Sequence, residues 1–281
     1  MTDALLETAI GAALDAGREI LAVYRTDFDV ERKSDASPLT LADKRAHETI
    51  KAALMPLGLP ILSEEGRAIA FEVRRQWPRF WLVDPLDGTK EFIRRNGEFT
   101  VNIALIEHNR PVMGVVYVPV RDTLYFGGND LGSYKMDRAR QVYVQLASGR
   151  HPVALADLVA VARRLPMAKA GERGYTVVGS RSHATADLEK YIDRLRITHK
   201  DLDFVSAGSS LKFCLVAEGK ADLYPRLGPT MEWDTAAGQV VAQCAGARVV
   251  NHQTGDELSY NKASLLNPWF IVERERTGNG T

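Results

Sequence analysis

The chain has 281 residues, of which 45% are hydrophobic, so it can bury a sizeable core as one enzyme unit of one or two subdomains. Lysine plus arginine equals aspartate plus glutamate at 36 each, which does not favour a nucleic-acid-binding protein or a polybasic membrane surface. The N-terminus lacks the uninterrupted apolar region of a signal peptide, and no segment approaches the roughly 18 apolar residues of a membrane span. We therefore expect a cytoplasmic protein that handles a small charged substrate.

The first half of the chain is predicted to form two helices and an antiparallel meander. Apolar residues recur at helical spacing over residues 1–24, and a second helix begins near Leu41, where Thr40 and Asp43 resemble a capping box. Short apolar or β-branched runs predict the strands. These runs lie at residues 28–31, 60–63, 80–83, 99–120 (with a turn at 108–111), 123–126 and 133–135.

The second half is predicted to alternate strands with helices, which favours an α/β layer. A helical pattern covers residues 155–165, inside an alanine- and arginine-rich segment at 138–173. The other predicted elements are strands at 175–179, 203–206 and 221–224 and helices at 185–195, 209–218 and 234–245. We place a subdomain boundary near residue 148, which gives an N-terminal α+β unit (1–147) and a C-terminal α/β unit (148–281) that ends in a loose polar tail from residue 273.

The most informative local pattern is the string W-L-V-D-P-L-D-G-T-K-E-F at residues 81–92. A short apolar strand is predicted to end in Asp84, and Pro85 limits how far the carboxylates of Asp84 and Asp87 can separate. Mg²⁺ in proteins takes one or two carboxylates together with water and substrate phosphate. Gly88 lets the backbone approach a ligand, and Thr89 opens a helix whose first N–H groups favour a phosphate. The string therefore predicts a metal site beside a phosphate site.

An Asp-Gly turn with a side-chain cap would also explain this string, and it is the commoner explanation for an isolated motif. Further carboxylates lie at the ends of other elements: Asp43, Glu64, Glu65 and Asp234. Each of them alone is explained by a helix cap or a solvated loop. Together they would repel one another unless a cation lay among them, and a site for several Mg²⁺ ions meets that requirement.

Other chemistries find little support in the sequence. The six histidines include no pair at the H-E-x-x-H spacing of zinc enzymes. The chain has no G-x-S-x-G elbow for acyl transfer, no Walker loop and no G-x-G-x-x-G after a strand. Phosphate-ester hydrolysis is the chemistry that remains.

Three short motifs resemble the signatures of the lithium-sensitive inositol monophosphatase superfamily, in sequence order. They are E-E at 64–65, D-P-L-D-G-T at 84–89 and W-D-T-A-A-G at 233–238. Longer strings resemble its branch of CysQ-type bacterial 3′(2′),5′-bisphosphate nucleotidases: K-S-D-A-S-P-L-T-L-A-D at 33–43, D-G-T-K-E-F-I-R-R-N-G-E-F-T-V-N-I-A-L-I at 87–106, S-R-S-H at 180–183 and G-S-S-L-K-F-C-L-V-A-E-G-K-A-D-L-Y-P-R at 208–226. The resemblance spans nearly the whole chain. Residues 138–173 look longer and less patterned than in this branch, as a modified surface excursion would.

The resemblance implies an α/β/α/β/α sandwich and roles for individual residues. The implied ligands of two or three Mg²⁺ ions are Glu64, Asp84, the carbonyl of Leu86, Asp87 and Asp234. Asp43 and Thr89 are implied to position or deprotonate the attacking water, with support from Glu65. The residues implied to bind phosphate or substrate are Gly88, Thr89, His183, Ser209, Ser210, Lys212, Arg226 and Asp234. Among these, Lys212 and Arg226 either bind a second phosphate or are ordinary surface cations. His183 either binds the nucleoside or is a helix-capping or loop residue without that role.

The implied activity is Mg²⁺-dependent hydrolysis of the 3′-phosphate of adenosine 3′,5′-bisphosphate to give AMP, in sulfur metabolism and with inhibition by Li⁺. The sulfated analogue is a second candidate substrate. A broad inositol or sugar-phosphate phosphatase is the first alternative, and a non-catalytic nucleotide-binding regulator is the second. The sequence leaves open the cellular substrate, the choice between monomer and homodimer, and association with the cytoplasmic side of the inner membrane.

Overall fold

The structure is a computed structural model that describes residues 2–26, 30–32, 38–148, 152–167, 174–180 and 186–274. Its helices are α1 (Thr2–Tyr24), α2 (Leu41–Leu54), α3 (Phe71–Arg74), α4 (Thr89–Ile93), α5 (Ala139–Ala147), α6 (Leu155–Val161), α7 (Ala186–Thr198), α8 (Leu211–Glu218) and α9 (Ala236–Gln243). Its strands are β1 (Val30–Arg32), β2 (Pro38–Thr40), β3 (Ile61–Ser63), β4 (Arg79–Asp87), β5 (Thr100–Glu107), β6 (Arg110–Val118), β7 (Thr123–Gly128), β8 (Gly132–Asp137), β9 (Arg163–Arg164), β10 (Thr176–Ser180), β11 (Asp203–Ala207), β12 (Leu223–Arg226), β13 (Ala247–Asn251) and β14 (Phe270–Arg274).

The larger sheet contains the predicted antiparallel meander and has seven strands in the order β3-β4-β5-β6-β7-β8-β9. Its strands β3 and β4 are parallel, and its other neighbouring strands are antiparallel. Along β4, Trp81 and Val83 enter one hydrophobic core, while Phe80 and Leu82 enter the core on the opposite face. Because both faces of this strand are buried, residues 80–83 form an uninterrupted apolar run.

The smaller sheet has five strands in the order β11-β10-β12-β14-β13. The three strands that the sequence predicts, β10, β11 and β12, are parallel and alternate with helices as expected. The antiparallel strands β14 and β13 were not predicted. The segment between them, residues 252–269, is too long for a hairpin-turn signal, and β14 pairs with β12, which lies more than forty residues earlier in the chain.

Helices cover both sheets and fill the space between them. On the outer face of the seven-stranded sheet, Ile10 of α1 and Ile50 of α2 belong to the first core. Between the sheets, Phe213 of α8 and Val241 of α9 belong to the second core. On the outer face of the five-stranded sheet, Leu188 of α7 packs into a third cluster. The order of layers is therefore α/β/α/β/α, which confirms the predicted sandwich.

The segment 138–173 was expected to be a surface excursion, and this expectation is wrong for its described part. The side chains of Tyr143, Leu155 and Leu158 are buried in the first core, so α5 and α6 pack against the body of the protein. The helix predicted to reach residue 165 ends at Val161, because the next residues turn outward and pair with β8. The division of the chain at residue 148 stays a prediction.

Several predictions concern residues outside the described ranges. These are the first residues of the strand at 28–31, the start of the helix at residue 185, His183 and most of the polar tail. Among the described helices, none is long and apolar enough to span a bilayer.

Candidate metal and phosphate site

The carboxylates of Asp84 and Asp87 share one side of the sheet because β4 contains a bulge. Asp84 pairs with Asn102 and Asp87 pairs with Thr100, so three steps along β4 oppose two steps along β5. In a regular strand, residues three apart point to opposite faces, and one extra residue restores a common face. Pro85 is tolerated there because a bulge does not require its missing N–H. The strand was expected to end at Asp84, but it continues through this bulge to Asp87.

Three carboxylates converge beside this bulge. Oxygen atoms of Glu64, Asp84 and Asp234 lie within 4.8 Å of one another. Asp84 is 1% exposed, and its Oδ1 accepts a hydrogen bond from the N–H of Leu86 at 3.0 Å. The other oxygen, Asp84 Oδ2, is buried and has no hydrogen-bond partner in the described structure. A buried, unpartnered carboxylate oxygen among other carboxylates fits a hard divalent cation.

The electrostatics of these acids support a cation. Burial raises the pKa of Asp84 well above its usual range, and the charges of Glu64, Asp87 and Asp234 raise it further. Burial also raises the pKa of Asp234 to about 8, with Asp87 and Glu64 adding to the shift. At neutral pH the group therefore needs either protons or positive charge, and a divalent ion supplies the charge.

Two separate segments bring Glu64 and Asp234 to this point. Glu64 directly follows β3, and its N–H donates to the carbonyl of Val83 on β4 at 3.1 Å. Asp234 lies in a short 3₁₀ turn at 232–234 rather than in the predicted helix, which begins two residues later as α9. Its Oδ2 accepts a hydrogen bond from the N–H of Met231 at 2.8 Å.

This 3₁₀ turn is anchored by buried polar contacts. Glu232 is fully buried and accepts hydrogen bonds from the N–H of Asn261 at 2.6 Å and from Nζ of Lys262 at 2.5 Å. Asn267 Nδ2 donates to the carbonyl of Met231 at 2.7 Å and to Oγ1 of Thr235 at 3.0 Å. The position of the last carboxylate therefore depends on residues 261–267, which the sequence alone did not connect to the site.

Asp87 lies in the same cleft and is held by hydroxyl and amide donors. Its Oδ2 is 3.0 Å from Oγ of Ser210 and 3.4 Å from Nδ2 of Asn102. Ser210 Oγ is also 2.8 Å from the carbonyl of Asp234, so this residue links two of the acidic segments. Burial raises the pKa of Asp87, and the nearby charge of Lys212 opposes the shift. Asn102 was not singled out from the sequence, where it is an ordinary strand residue.

The predicted water-positioning pair is brought together. Oγ1 of Thr89 lies 3.4 Å from Oδ2 of Asp43, which is in the first turn of α2 and only 2% exposed. Gly88 precedes Thr89 at a φ of +92°, a conformation that disfavours a side chain. A Cβ atom there would also lie 3.3 Å from Cβ of Ser209, so the glycine lets the two loops meet.

One cleft of about 230 Å³ lies among these groups, and the predicted site residues Asp43 and Ser210 stand behind its lining rather than in it. Its lining includes most of the predicted site residues: Glu64, Asp84, Leu86, Asp87, Gly88, Thr89, Ser209, Lys212, Arg226 and Asp234. It also includes residues that the sequence did not single out: Lys90, Glu91, Ser180, Phe213, Tyr224, Thr230 and Thr235. Lys90, Phe213 and Thr235 directly follow predicted site residues in the chain, whereas Thr230 lies outside the quoted motifs and is identified by the fold alone.

The two predicted cations of the substrate side lie at this cleft. Lys212 is 5% exposed, and its Nζ donates to the carbonyl of Ser209 at 2.6 Å and lies 5.4 Å from the ring centre of Tyr224. Burial lowers the pKa of Lys212 to about 8, against the attraction of Asp87. Arg226 donates from Nη2 to the carbonyl of Pro229 at 2.7 Å, and its buried Nε has no partner in the described structure.

Glu65 is not among the residues that line this cleft. It lines a neighbouring cavity of about 600 Å³ together with His47 and Ser63. His47 Nδ1 lies 2.9 Å from Oγ of Ser63, the residue before the candidate metal ligand Glu64. The supporting role of Glu65 stays a prediction.

Known proteins resemble this chain over nearly its whole length. The sequence pattern of the inositol monophosphatase family matches residues 1–275. The 3′(2′),5′-bisphosphate nucleotidase CysQ of Escherichia coli K12 is 45% identical over 273 residues, which is 95% of this chain and 99% of the relative. The CysQ of Haemophilus influenzae is 34% identical over 281 residues, 97% of this chain and 93% of the relative.

A solved structure also resembles it closely. The crystal structure of CysQ from Bacteroides thetaiotaomicron, a bacterial member of the inositol monophosphatase family, has a TM-score of 0.85 and 48% sequence identity, with 96% of each chain covered. The extragenic suppressor protein suhB from Bartonella henselae superposes with a TM-score of 0.72 over 97% of this chain and 94% of that chain, at 23% identity. The second similarity concerns the fold alone.

Proposed function

Because the chain belongs to the inositol monophosphatase family, we propose that it is an Mg²⁺-dependent phosphatase that hydrolyses the 3′-phosphate of adenosine 3′,5′-bisphosphate. The observation that carries this proposal is the presence of a carboxylate cluster and two cationic side chains, Lys212 and Arg226, in one cleft. The names of relatives that are 45% identical to the chain, 3′(2′),5′-bisphosphate nucleotidases, support a nucleoside bisphosphate as the class of substrate. In the reaction, the oxygen of water bonds to phosphorus, the bond from phosphorus to the ribose 3′-oxygen breaks, and that oxygen takes up a proton, so the products are AMP and inorganic phosphate.

The acidic side of the cleft would hold two or three Mg²⁺ ions. The proposed ligands are Glu64, Asp84, the carbonyl of Leu86, Asp87 and Asp234. When bound, the ions lower the pKa of a water molecule and neutralise charge on the phosphate and the departing oxygen. The oxygen-only donor set and the buried, unpartnered Oδ2 of Asp84 suit Mg²⁺.

Asp43 and Thr89 are proposed to handle the proton of the attacking water. The Thr89 hydroxyl donates to the Asp43 carboxylate, so the Thr89 oxygen can accept a hydrogen bond from the attacking water. The proton of the water passes to Thr89, and the hydroxyl proton of Thr89 passes to Asp43. The Gly88–Thr89 backbone is proposed to hold the phosphate that is cleaved.

Lys212 and Arg226 are proposed to bind the phosphate that is not cleaved. Both side chains line the cleft, and a charge-assisted contact to phosphate is stronger than a neutral one. With a pKa of about 8, Lys212 is mostly charged at neutral pH. An inositol monophosphate carries no second phosphate and would leave these cations unused. The same pocket would accept the sulfated analogue, which adds one group to the 5′-phosphate.

A substrate panel tests the proposal. Release of phosphate from adenosine 3′,5′-bisphosphate, 3′-AMP and inositol 1-phosphate would be measured with Mg²⁺, in the presence and absence of Li⁺. We expect the bisphosphate to have the highest kcat/KM and Li⁺ to inhibit by competing for a metal position. A higher kcat/KM for inositol 1-phosphate would reject the nucleotidase assignment, and no Mg²⁺-dependent turnover of any substrate would favour a non-catalytic binding protein.

A further inference from the structure

The turn that leads into α8 has a strained backbone. It joins the end of β11 at Ala207 to the helix that carries Lys212. Within it, Ser209 has a φ of +41°, in the left-handed region that residues other than glycine rarely occupy. Such a conformation persists only where surrounding contacts fix it, and it often occurs at functional sites.

Glu98 provides these contacts from the other half of the chain. Its Oε2 accepts a hydrogen bond from the N–H of Gly208 at 2.9 Å, and its main-chain carbonyl accepts one from Oγ of Ser209 at 2.6 Å. The Glu98 residue is 8% exposed. Its Oε1 lies 3.2 Å from Nη2 of Arg121, whose side chain is half exposed. One residue therefore binds both residues of the strained turn.

The packing around Gly208 leaves little room for the turn to shift. A Cβ atom on Gly208 would lie 2.9 Å from both Cβ and the carbonyl oxygen of Glu98, and 2.8 Å from Cγ of Glu91. Real Cβ atoms do not approach other atoms so closely. Glycine is therefore needed at this position so that the turn can rest against Glu98.

The Gly208–Ser209 turn sets the position of Lys212. Lys212 Nζ donates to the carbonyl of Ser209 at 2.6 Å and to the carbonyl of Ala207 at 3.4 Å, so its two backbone acceptors flank Gly208. If the turn moved, these acceptors would move with it. A flexible lysine that is held at two points loses less entropy when it binds phosphate, which favours binding.

We propose that Glu98 is a positioning residue for substrate selection: it fixes the Gly208–Ser209 turn and thereby holds Lys212 where the uncleaved phosphate binds. This inference rests on the proposed bisphosphate nucleotidase function. Glu98 does not touch the substrate, and its contribution should depend on whether the substrate has a second phosphate.

The test compares substrates that differ only in that phosphate. The kcat and KM for adenosine 3′,5′-bisphosphate and for 3′-AMP would be measured for the wild type, Glu98→Ala, Glu98→Gln and Arg121→Gln, together with Tm. Loss of a buried charged hydrogen bond predicts that Glu98→Ala raises KM for the bisphosphate about ten-fold and KM for 3′-AMP by less than about two-fold. Glu98→Gln keeps an oxygen that can accept from Gly208, so the KM for the bisphosphate should largely return to the wild-type value. Arg121→Gln removes only an exposed ion pair and should leave both KM values unchanged.

A second variant covers the case in which Glu98→Ala does not fold. Glu98→Asp keeps the charge but shortens the side chain by one methylene, which withdraws the carboxylate from the N–H of Gly208, and it should shift the two KM values in the same selective direction by about three-fold. Equal losses on both substrates, or no loss on either, would overturn the positioning role while leaving the nucleotidase function intact. A wild-type enzyme that prefers inositol 1-phosphate would instead overturn the function on which the inference rests.

Discussion

The two sides of the cleft are built in different ways. On the acidic side, Asp84 and Asp87 come from a single bulged strand, which leads directly into Gly88 and Thr89 of the proposed phosphate site. On the cationic side, Lys212 is placed by a turn that rests on a residue more than one hundred positions earlier in the chain. Part of the acidic side is therefore encoded in one short segment, although Glu64 and Asp234 join it from elsewhere in the chain, whereas the turn that holds Lys212 depends on packing against a distant segment.

The largest expected effect is on kcat, when a negative charge is removed from the acidic side of the cleft. Asp84→Asn keeps the shape of the side chain but removes the negative charge beside its unpartnered Oδ2, so kcat should fall by roughly 10³-fold for every substrate. Phosphate release under saturating Mg²⁺ measures this. Asp15→Asn, at an exposed position on α1, is the matched control and should retain wild-type kcat. A loss of kcat on the bisphosphate alone would contradict the assignment of the acidic side to the cleavage step.

Loss of the cationic side should have a smaller and selective effect. Lys212→Ala removes a charge-assisted contact, so KM for adenosine 3′,5′-bisphosphate should rise about 10- to 100-fold while KM for 3′-AMP changes little. Steady-state kinetics on both substrates measure the difference. Lys51→Ala, on the exposed face of α2, is the control and should change neither KM. An unaltered KM for the bisphosphate in Lys212→Ala would remove this residue from the phosphate pocket.

The acidic side should also make the metal-free protein sensitive to pH. The folded state raises the pKa of Asp234 from 3.8 to about 8, so the folded state binds a proton that the unfolded chain has released between these values. This stabilising contribution is fully present below about pH 4 and is lost as the pH rises toward 8. We therefore expect Tm of the metal-free protein to fall over this range, and Mg²⁺ to stabilise it most at the higher pH.

Thermal unfolding of the wild type and Asp234→Asn at several pH values checks this expectation. The asparagine variant should show a shallower decline of Tm with pH because it lacks the titrating carboxyl. The same slope in both proteins would show that Asp234 is not the group responsible.

A smaller effect, on Tm, is expected from a substitution where α9 packs against the seven-stranded sheet. A Cβ atom at Gly114 of β6 would lie 2.5 Å from the carbonyl oxygen of Ala237 on α9, which belongs to the backbone and cannot rotate away. Gly114→Ala should therefore lower Tm by roughly 2–10 °C. Gly228→Ala is the matched control, since a Cβ atom there meets nothing within 4 Å, and its Tm should stay close to that of the wild type. Equal Tm values for the two variants would show that the two sheets are less tightly joined than the packing indicates.

The difference between the two sides also explains how much the sequence could predict. Residues that lie close together in the chain, such as Asp84, Asp87 and Thr89, were identified from turn chemistry and strand pattern. The bulge that puts both aspartates on one face was not identified, because it depends on the register with β5. A continuous apolar run shows that β4 is buried but does not show how it pairs.

Long-range contacts were the least predictable part. The fold was obtained from the resemblance to a family and from the alternation of elements, but the connection between strands β13 and β14, residues 252–269, is too long to predict their pairing from a hairpin turn. Glu98 lies in a string that resembled the family, yet its hydrogen bond to Gly208 spans 110 residues. Such contacts result from tertiary packing and leave no periodic trace in the sequence.

The most direct test of the central claim is a competition between substrates in one reaction. Adenosine 3′,5′-bisphosphate and inositol 1-phosphate at equal concentration would be incubated with the wild-type protein and Mg²⁺, and ³¹P NMR would follow each phosphate signal. We expect the 3′-phosphate signal of the nucleotide to disappear first, with 5′-AMP and inorganic phosphate as products. Faster loss of the inositol phosphate signal, or formation of 3′-AMP, would contradict the proposed division of the cleft into a cleaving side and a phosphate-binding side.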